Sequence, residues 1–320
     1  MTMTLLLIAV AAGVASALMF ASISSGALIS LVLFYLAPLP LMVAGLGWGP
    51  LTALIGAIAA CLGLVSIFGF AYAAAFAITV GLPAWWLSRM ALLGRPVETP
   101  SPETGDIEWY PAGRLLLWIA VFAVLTTLAA LLALGTDSAS INAMLKRGLM
   151  RMMGLANEAT TTEDIHRVVD LLVDIAPAAG ASIAMMTLTL NLWLSGKIAA
   201  MSGRLQRTWP NIHDTELPPM TLAVLSLAIA IGFMGGLFGM IAQIVTAALM
   251  TAYALIGLAT LHVLTSRSRS RILWRTMVYA SIMVFGWPIL LMIGLGLTDA
   301  IVGLRRRYHA RHVQPPTLHT

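Results

Sequence analysis

Long runs of apolar residues alternate with short polar segments along the whole chain. Residues 1–88 contain no Asp, Glu, Lys or Arg, and further apolar runs follow each later polar segment. A helix needs about 20 mostly apolar residues to cross the hydrocarbon core of a bilayer. The pattern therefore predicts an all-α fold, a polytopic transmembrane helix bundle with roughly eight or nine spanning helices.

The apolar runs define nine candidate spanning helices in chain order. They cover 5–23, 28–47, 51–68, 71–87, 115–134, 178–194, two helices within 219–264, and 277–302. Glycines at 232–239 predict the hinge between the two helices of 219–264, and Pro288 predicts a kink in the last helix. Polar connectors are expected at 88–114, which is proline-rich and too short to fold alone, and at 197–218.

The segment 135–176 differs from the rest because it carries six acidic and four basic residues. Its apolar residues recur at helical spacing on both sides of Gly154, which predicts two amphipathic helices. We expect them to lie on the membrane surface or over the bundle. An ordered extramembrane hairpin with a purely structural role is an equally good interpretation.

These segments divide the chain into four parts. We predict transmembrane helices 1–5 in residues 1–134, amphipathic extramembrane helices in 135–176, transmembrane helices 6–9 in 177–304, and a basic tail in 305–320.

Composition supports a lipid-embedded chain. Apolar residues make up 60% of it, charged residues make up 10%, and the mean hydropathy is +0.93. Soluble domains average about 45–50% apolar and about 25% charged residues. The net charge of +5 does not indicate a nucleic-acid partner, because the basic residues fall in connectors or near helix ends. Basic residues there hold topology and meet anionic lipid headgroups.

The distribution of basic residues predicts the orientation of the bundle. The connectors 88–114, 197–218 and 265–276 together hold ten basic residues, which predicts that they lie in the cytoplasm with the N-terminus. The expected location is the bacterial inner membrane. Alternation holds through eight helices. A ninth crossing would put the basic residues 305–307 outside, so either one segment does not span or the tail violates the rule.

No motif of an enzyme is present. The sequence lacks a Walker motif, Gly-x-Ser-x-Gly and His-Glu-x-x-His, and its single cysteine, Cys61, lies in an apolar run. His309 and His312 have metal-like spacing but no acidic partners, which favours a solvated tail over a metal site. We therefore expect no catalytic residue, no cofactor and no metal.

Polar residues within apolar helices are costly, so they are the first functional candidates. Asn191 and Gln243 are candidate ligand-binding residues, with interhelical hydrogen bonding as the alternative. Asp299 is expected to pair with a neighbouring arginine, and Arg305 follows about one turn or so later. His262 lies at a predicted helix end, where a cation is favourable. We interpret these last three as structural polar residues.

Small residues on the first helix form a ridge. Ala9, Gly13, Ala17 and Ala21 lie four apart on one face, which permits another helix to approach closely. That helix belongs either to the same chain or to another subunit.

Three short motifs carry a family resemblance. They are the Asn191 helix leading to Lys197, the segment 257–262, and the segment 295–299 followed by the arginines 305–307. With them, the chain resembles the YybS-like bacterial membrane family, domain of unknown function 2232 (DUF2232). That family is similar to the S components of energy-coupling-factor transporters.

The resemblance implies a component that binds or transports a small molecule. A transmembrane coupling subunit and an ATPase are the partners that would move this component. In S components a small-residue ridge on the first helix docks against the coupling subunit, and the ridge at Gly13 is similar to it. The chain departs from S components in having more helices and no vitamin-binding signature, so no ligand carries over. The alternative is a membrane scaffold or assembly factor without transport activity.

Overall fold

A computed structural model of the protein describes residues 2–101, 105–154, 163–208, 215–266 and 270–310. These residues form a helical bundle and one short β-hairpin. The helices are α1 Met3–Ala21, α2 Leu28–Tyr35, α3 Pro38–Trp48, α4 Pro50–Phe68, α5 Phe70–Phe76, α6 Leu82–Ala91, α7 Ala112–Leu132, α8 Ser138–Met152, α9 Glu163–Met201, α10 Met220–Gly232, α11 Gly236–Leu264, α12 Arg271–Phe285, α13 Ile289–Val302 and α14 Leu304–Ala310. The strands are β1 Gly94–Ser101 and β2 Gly105–Trp109.

Seven helical segments within the described residues are long and apolar enough to cross a bilayer. They are Met3–Ser25, Leu28–Trp48, Pro50–Phe68, Phe70–Ala91, Ala112–Leu132, Glu163–Met201 and Gly236–Leu264. Two shorter apolar helices, α10 and α13, accompany them. Each of the predicted apolar runs contributes to one of these segments, which confirms the all-α, polytopic membrane bundle.

The predicted boundary at 176/177 falls inside helix α9. The second amphipathic stripe and the sixth apolar run belong to one continuous helix, which passes through the buried Pro177. Proline removes one hydrogen bond of a helix but does not always end it, and in membrane helices neighbouring helices compensate. The polar first part of α9 packs on α8 through Met150, Val169 and Val173.

The connector 88–114 also differs from the prediction that it is too short to fold alone. It contains an antiparallel hairpin. Gly94 pairs with Trp109, and the Tyr110 N–H donates to Leu93 O over 2.8 Å. A Cβ at Gly94 would lie only 2.6 Å from the Ile107 side chain, so any larger residue there would force that side chain to shift. Tolerance of proline on the edge of a small sheet explains why a proline-rich segment forms strands.

The last apolar run is two helices, not one kinked span. Gly286, with φ of 70°, ends α12 before Pro288, and no residue of α12 is buried. Arg305 Nη2 donates to Thr215 O, so the basic tail begins beside the end of the connector 197–218. The tail and this connector therefore share one end of the bundle. The membrane side that this end faces stays a prediction.

The ridge on α1 packs inside the chain. Ala9 and Gly13 are buried, whereas Ala17 and Ala21 are half-buried. A Cβ at Gly13 would lie 2.1 Å from Gly56 O on α4. The central part of the ridge therefore packs against α4 of the same chain.

A second close crossing joins α11 to α13. A Cβ at Gly257 would lie 1.8 Å from Met292 O, and a Cβ at Gly296 would lie 2.0 Å from Tyr253 O. Only residues without a Cβ permit the two backbones to approach this closely.

We predict that Gly13→Ala destabilises the protein by about 1–3 kcal/mol, because its Cβ overlaps the backbone of α4. The matched control is Gly63→Ala on α4, where no described atom lies within 4 Å of the added Cβ. Thermal unfolding in detergent measures both. Equal melting temperatures for the two variants would contradict the close contact between α1 and α4.

Candidate functional site

An open cavity of about 870 Å³ lies where the ends of several helices meet. Ligand sites typically measure about 300–1,000 Å³. The lining residues of the helices and connectors are Leu46 on α3, Ala91 on α6, Ala112, Leu115, Leu116 and Ile119 on α7, Thr189, Leu192, Trp193 and Gly196 on α9, Leu205, Arg207 and Thr215 between α9 and α10, Leu255, Ile256, Leu258, Ala259 and His262 on α11, Ser266 after α11, and Arg271, Arg275 and Tyr279 on α12.

The cavity gathers three connectors at one end of the bundle. It is lined by the start of α7 after 88–114, by residues of 197–218, and by residues on both sides of the α11–α12 connection. Gly113 helps to bring them together, because a Cβ there would lie 1.7 Å from Glu216 O. The sequence predicted a common side for these connectors, and the structure brings parts of all three to one cavity.

The inner wall of the cavity is apolar. On α7 the lining runs from Ala112 to Ile119, a rise of about 10 Å along the helix axis. Leucine and isoleucine from α9 and α11 face the same space. The cavity therefore extends from the helix ends into the apolar bundle.

Arg207 contributes a cation near the ends of α6 and α7. Its Nη1 donates to Ala91 O over 3.1 Å and its Nη2 to Tyr110 O over 3.0 Å. Its buried Nε has no hydrogen-bond partner among the described residues. Burial lowers the pKa of the Arg207 guanidinium from its ordinary value. Arginine nevertheless keeps its charge in proteins.

Two further cations come from the first turns of α12. Arg275 Nη2 donates to His262 O over 2.9 Å, and its Nε donates to Thr265 Oγ1 over 3.1 Å. Arg271 makes one long contact, 3.5 Å from Nη1 to Ser266 O. Among the described residues, no carboxylate lines the cavity or forms an ion pair with either arginine.

His262 lies in the cavity wall, although the sequence indicated only a structural role. Its Nδ1 lies 2.8 Å from Leu258 O, and its ring centroid lies 5.9 Å from that of Tyr279. The sequence indicates only a topological role for the cavity arginines. Their position next to connectors was visible, but nothing in the sequence showed which connectors meet.

Asn191, the first ligand-binding candidate, joins two helices and does not line this cavity. It is completely buried. Its Nδ2 donates to Tyr35 O and to Thr187 O, over 2.8 Å each. The amide of Leu39, which a continuous helix would direct to Tyr35 O, donates to Leu36 O instead. Asn191 therefore satisfies a carbonyl at the break between α2 and α3.

Gln243, the second ligand-binding candidate, is exposed on the outer surface of α11 and does not line this cavity. The ligand-binding interpretation of Gln243 therefore has no support from this cavity. Its neighbours Ala242 and Ile244 are the buried residues of that turn.

Asp299 and Arg305 form a buried ion pair, each side chain being 4% exposed. Arg305 Nε donates to Asp299 Oδ2 over 2.7 Å, and the Arg305 backbone N–H donates to Asp299 Oδ1 over 2.9 Å. Arg305 also reaches Thr215 O over 2.9 Å. The pair thus joins α13, α14 and the segment before α10.

The family described as "Predicted membrane protein (DUF2232)" matches residues 13–300. The chain belongs to this family. No curated protein and no solved structure matches the chain. In this DUF2232 protein, two segments that carried the resemblance pack together, because 257–262 and 295–299 contain the glycines of the α11–α13 crossing.

We predict that Asp299→Asn lowers thermal stability and membrane levels of this DUF2232 protein. The variant removes the carboxylate charge of Asp299 from its buried ion pair with Arg305, and breaking a buried ion pair costs about 3–5 kcal/mol. Glu216→Gln is the control, because Glu216 and Arg306 form an exposed pair at 3.5 Å. Such pairs contribute about 0–1 kcal/mol. Equal losses in both variants would argue against an anchoring role for Asp299.

Proposed function

We propose that this protein is a non-enzymatic membrane component that binds a small molecule in the cavity between α6, α7, α9, α11 and α12. The cavity itself carries this proposal. Its volume of about 870 Å³ suits a ligand, and its lining combines apolar walls with a small number of convergent polar groups. Binding sites for small molecules commonly have this composition.

Transport by a coupling subunit and an ATPase remains an extension of this proposal. Its support is the resemblance to S components of energy-coupling-factor transporters. The small-residue ridge no longer adds to it, because Gly13 contacts Gly56 of the same chain. A coupling subunit would need a different surface, so ligand binding is the part of the proposal that the cavity supports.

A scaffold or assembly factor is the second candidate, and the α8–α9 hairpin favours it. Met152, Leu171 and Ile175 are apolar and exposed on this hairpin. A scaffold of this kind would use the hairpin surface and would be insensitive to changes in the cavity.

We predict that Thr189→Trp abolishes retention of a small molecule, because the indole fills space that the Thr189 side chain borders. Leu190→Trp is the matched control, since the neighbouring Leu190 is exposed on the outer surface of α9. Purification in a mild detergent followed by native mass spectrometry measures the retained mass and any bound subunits.

The expected result is a retained molecule in the wild type and in Leu190→Trp and its loss in Thr189→Trp. A retained molecule that survives Thr189→Trp would contradict binding in the cavity. Partner subunits that copurify equally with all three proteins, with no retained molecule in any, would support the scaffold instead.

A further inference from the structure

Among the described residues, the charged side chains that line the cavity are all positive. Arg207, Arg271 and Arg275 line it, and among the described residues no Asp or Glu does. The oxygens that Arg207 and Arg275 contact are backbone carbonyls and a hydroxyl. These neutral acceptors satisfy some N–H groups but leave the positive charges in place. A ligand that brings negative charge would complete the site.

The positive charges and the apolar surface also lie in different parts of the cavity. Arg207 contacts Ala91, the last residue of α6, and Tyr110, two residues before the start of α7, and Arg275 contacts the end of α11. These cations therefore lie at helix ends. The apolar lining of α7 extends about 10 Å away from its first residue. A complementary ligand has a charged head at one end and an apolar chain at the other.

We propose that the ligand of this cavity is an anionic amphiphile, with a phosphate or carboxylate head at Arg207, Arg271 and Arg275 and an apolar chain between α7, α9 and α11. This inference rests on the proposed function and names the ligand class of the same site. Arginine suits such a head because its planar guanidinium binds carboxylate and phosphate through two parallel hydrogen bonds.

Arg207 is held beside the cavity by two backbone carbonyls and contributes a fixed positive charge to the head site. Its Nε is buried and lacks a partner among the described residues, whereas both of its terminal nitrogens already bond to carbonyls. A buried donor without an acceptor is costly. An anionic head in the cavity would offset part of this cost through its charge.

Two amphiphiles with the same chain test the proposal. The protein is reconstituted into phosphatidylcholine nanodiscs and titrated with hexadecyl phosphate or with hexadecyl maltoside, whose head is uncharged. Native mass spectrometry measures the binding of each. The wild type should bind hexadecyl phosphate about tenfold more tightly, as expected for hydrogen bonds to a charged group.

Arg271→Gln tests the head contact with little risk to folding, since Arg271 makes only one long contact. It should reduce the preference for hexadecyl phosphate by about threefold, within the range for exposed charge pairs. Arg306→Gln is the matched control, because Arg306 pairs with Glu216, next to the cavity residue Thr215, and is not among the lining residues. It should keep the wild-type preference. A preference that falls equally in both variants would overturn the assignment.

The remaining outcomes separate this inference from the proposed function. Equal binding of the two amphiphiles, with Thr189→Trp blocking both, would overturn the anionic head and leave ligand binding in the cavity intact. If Thr189→Trp does not change the binding of either amphiphile, the cavity is not the binding site, and the proposed function is overturned as well. Inorganic phosphate that displaces hexadecyl phosphate as effectively as an excess of the amphiphile itself would identify a soluble anion as the ligand, which overturns the apolar chain.

Discussion

On one face, helix α11 packs directly against the backbone of α13. Another face of α11 lines the cavity. The contact depends on Gly257 and Gly296, because a Cβ at either position would overlap the carbonyl oxygen of the other helix. It fixes the position of Ile256 and Ala259, which line the cavity beside Gly257. Since helices in lipid gain no hydrophobic driving force from meeting, such close packing is a main source of their association. The shape of the cavity therefore depends on this crossing.

Polar groups inside the bundle complete the same framework. Asn191 donates one hydrogen bond to the carbonyl of Tyr35 where α2 ends, and Ser16 Oγ donates to Ala37 O over 2.6 Å at the same break. Asp299 and Arg305 neutralise each other where α13 turns into α14. Lipid offers no hydrogen bonds, so a bundle with broken helices must satisfy these groups internally. Most of the intramembrane polar residues that stood out in the sequence serve this purpose.

Apolar length predicted the bundle because the cost of exposing charge to lipid acts on every residue of a span. Local composition predicted less where tertiary contacts decide. It predicts a boundary at Pro177, although packing carries α9 through that residue. It also predicts only a kink at Pro288, although α12 ends at Gly286 and a separate helix follows. The role of Arg207 was not predictable, because it depends on which helix ends meet.

We propose that a cavity within the bundle holds an amphiphile. Alkylation of a single cysteine by N-ethylmaleimide in proteoliposomes tests it most directly, with Thr189→Cys and Leu190→Cys each made in a Cys61→Ser background. We expect hexadecyl phosphate to slow alkylation at 189, which lines the cavity, and to leave the rate at the outward-facing 190 unchanged. No protection at 189, or equal protection at both positions, would contradict it.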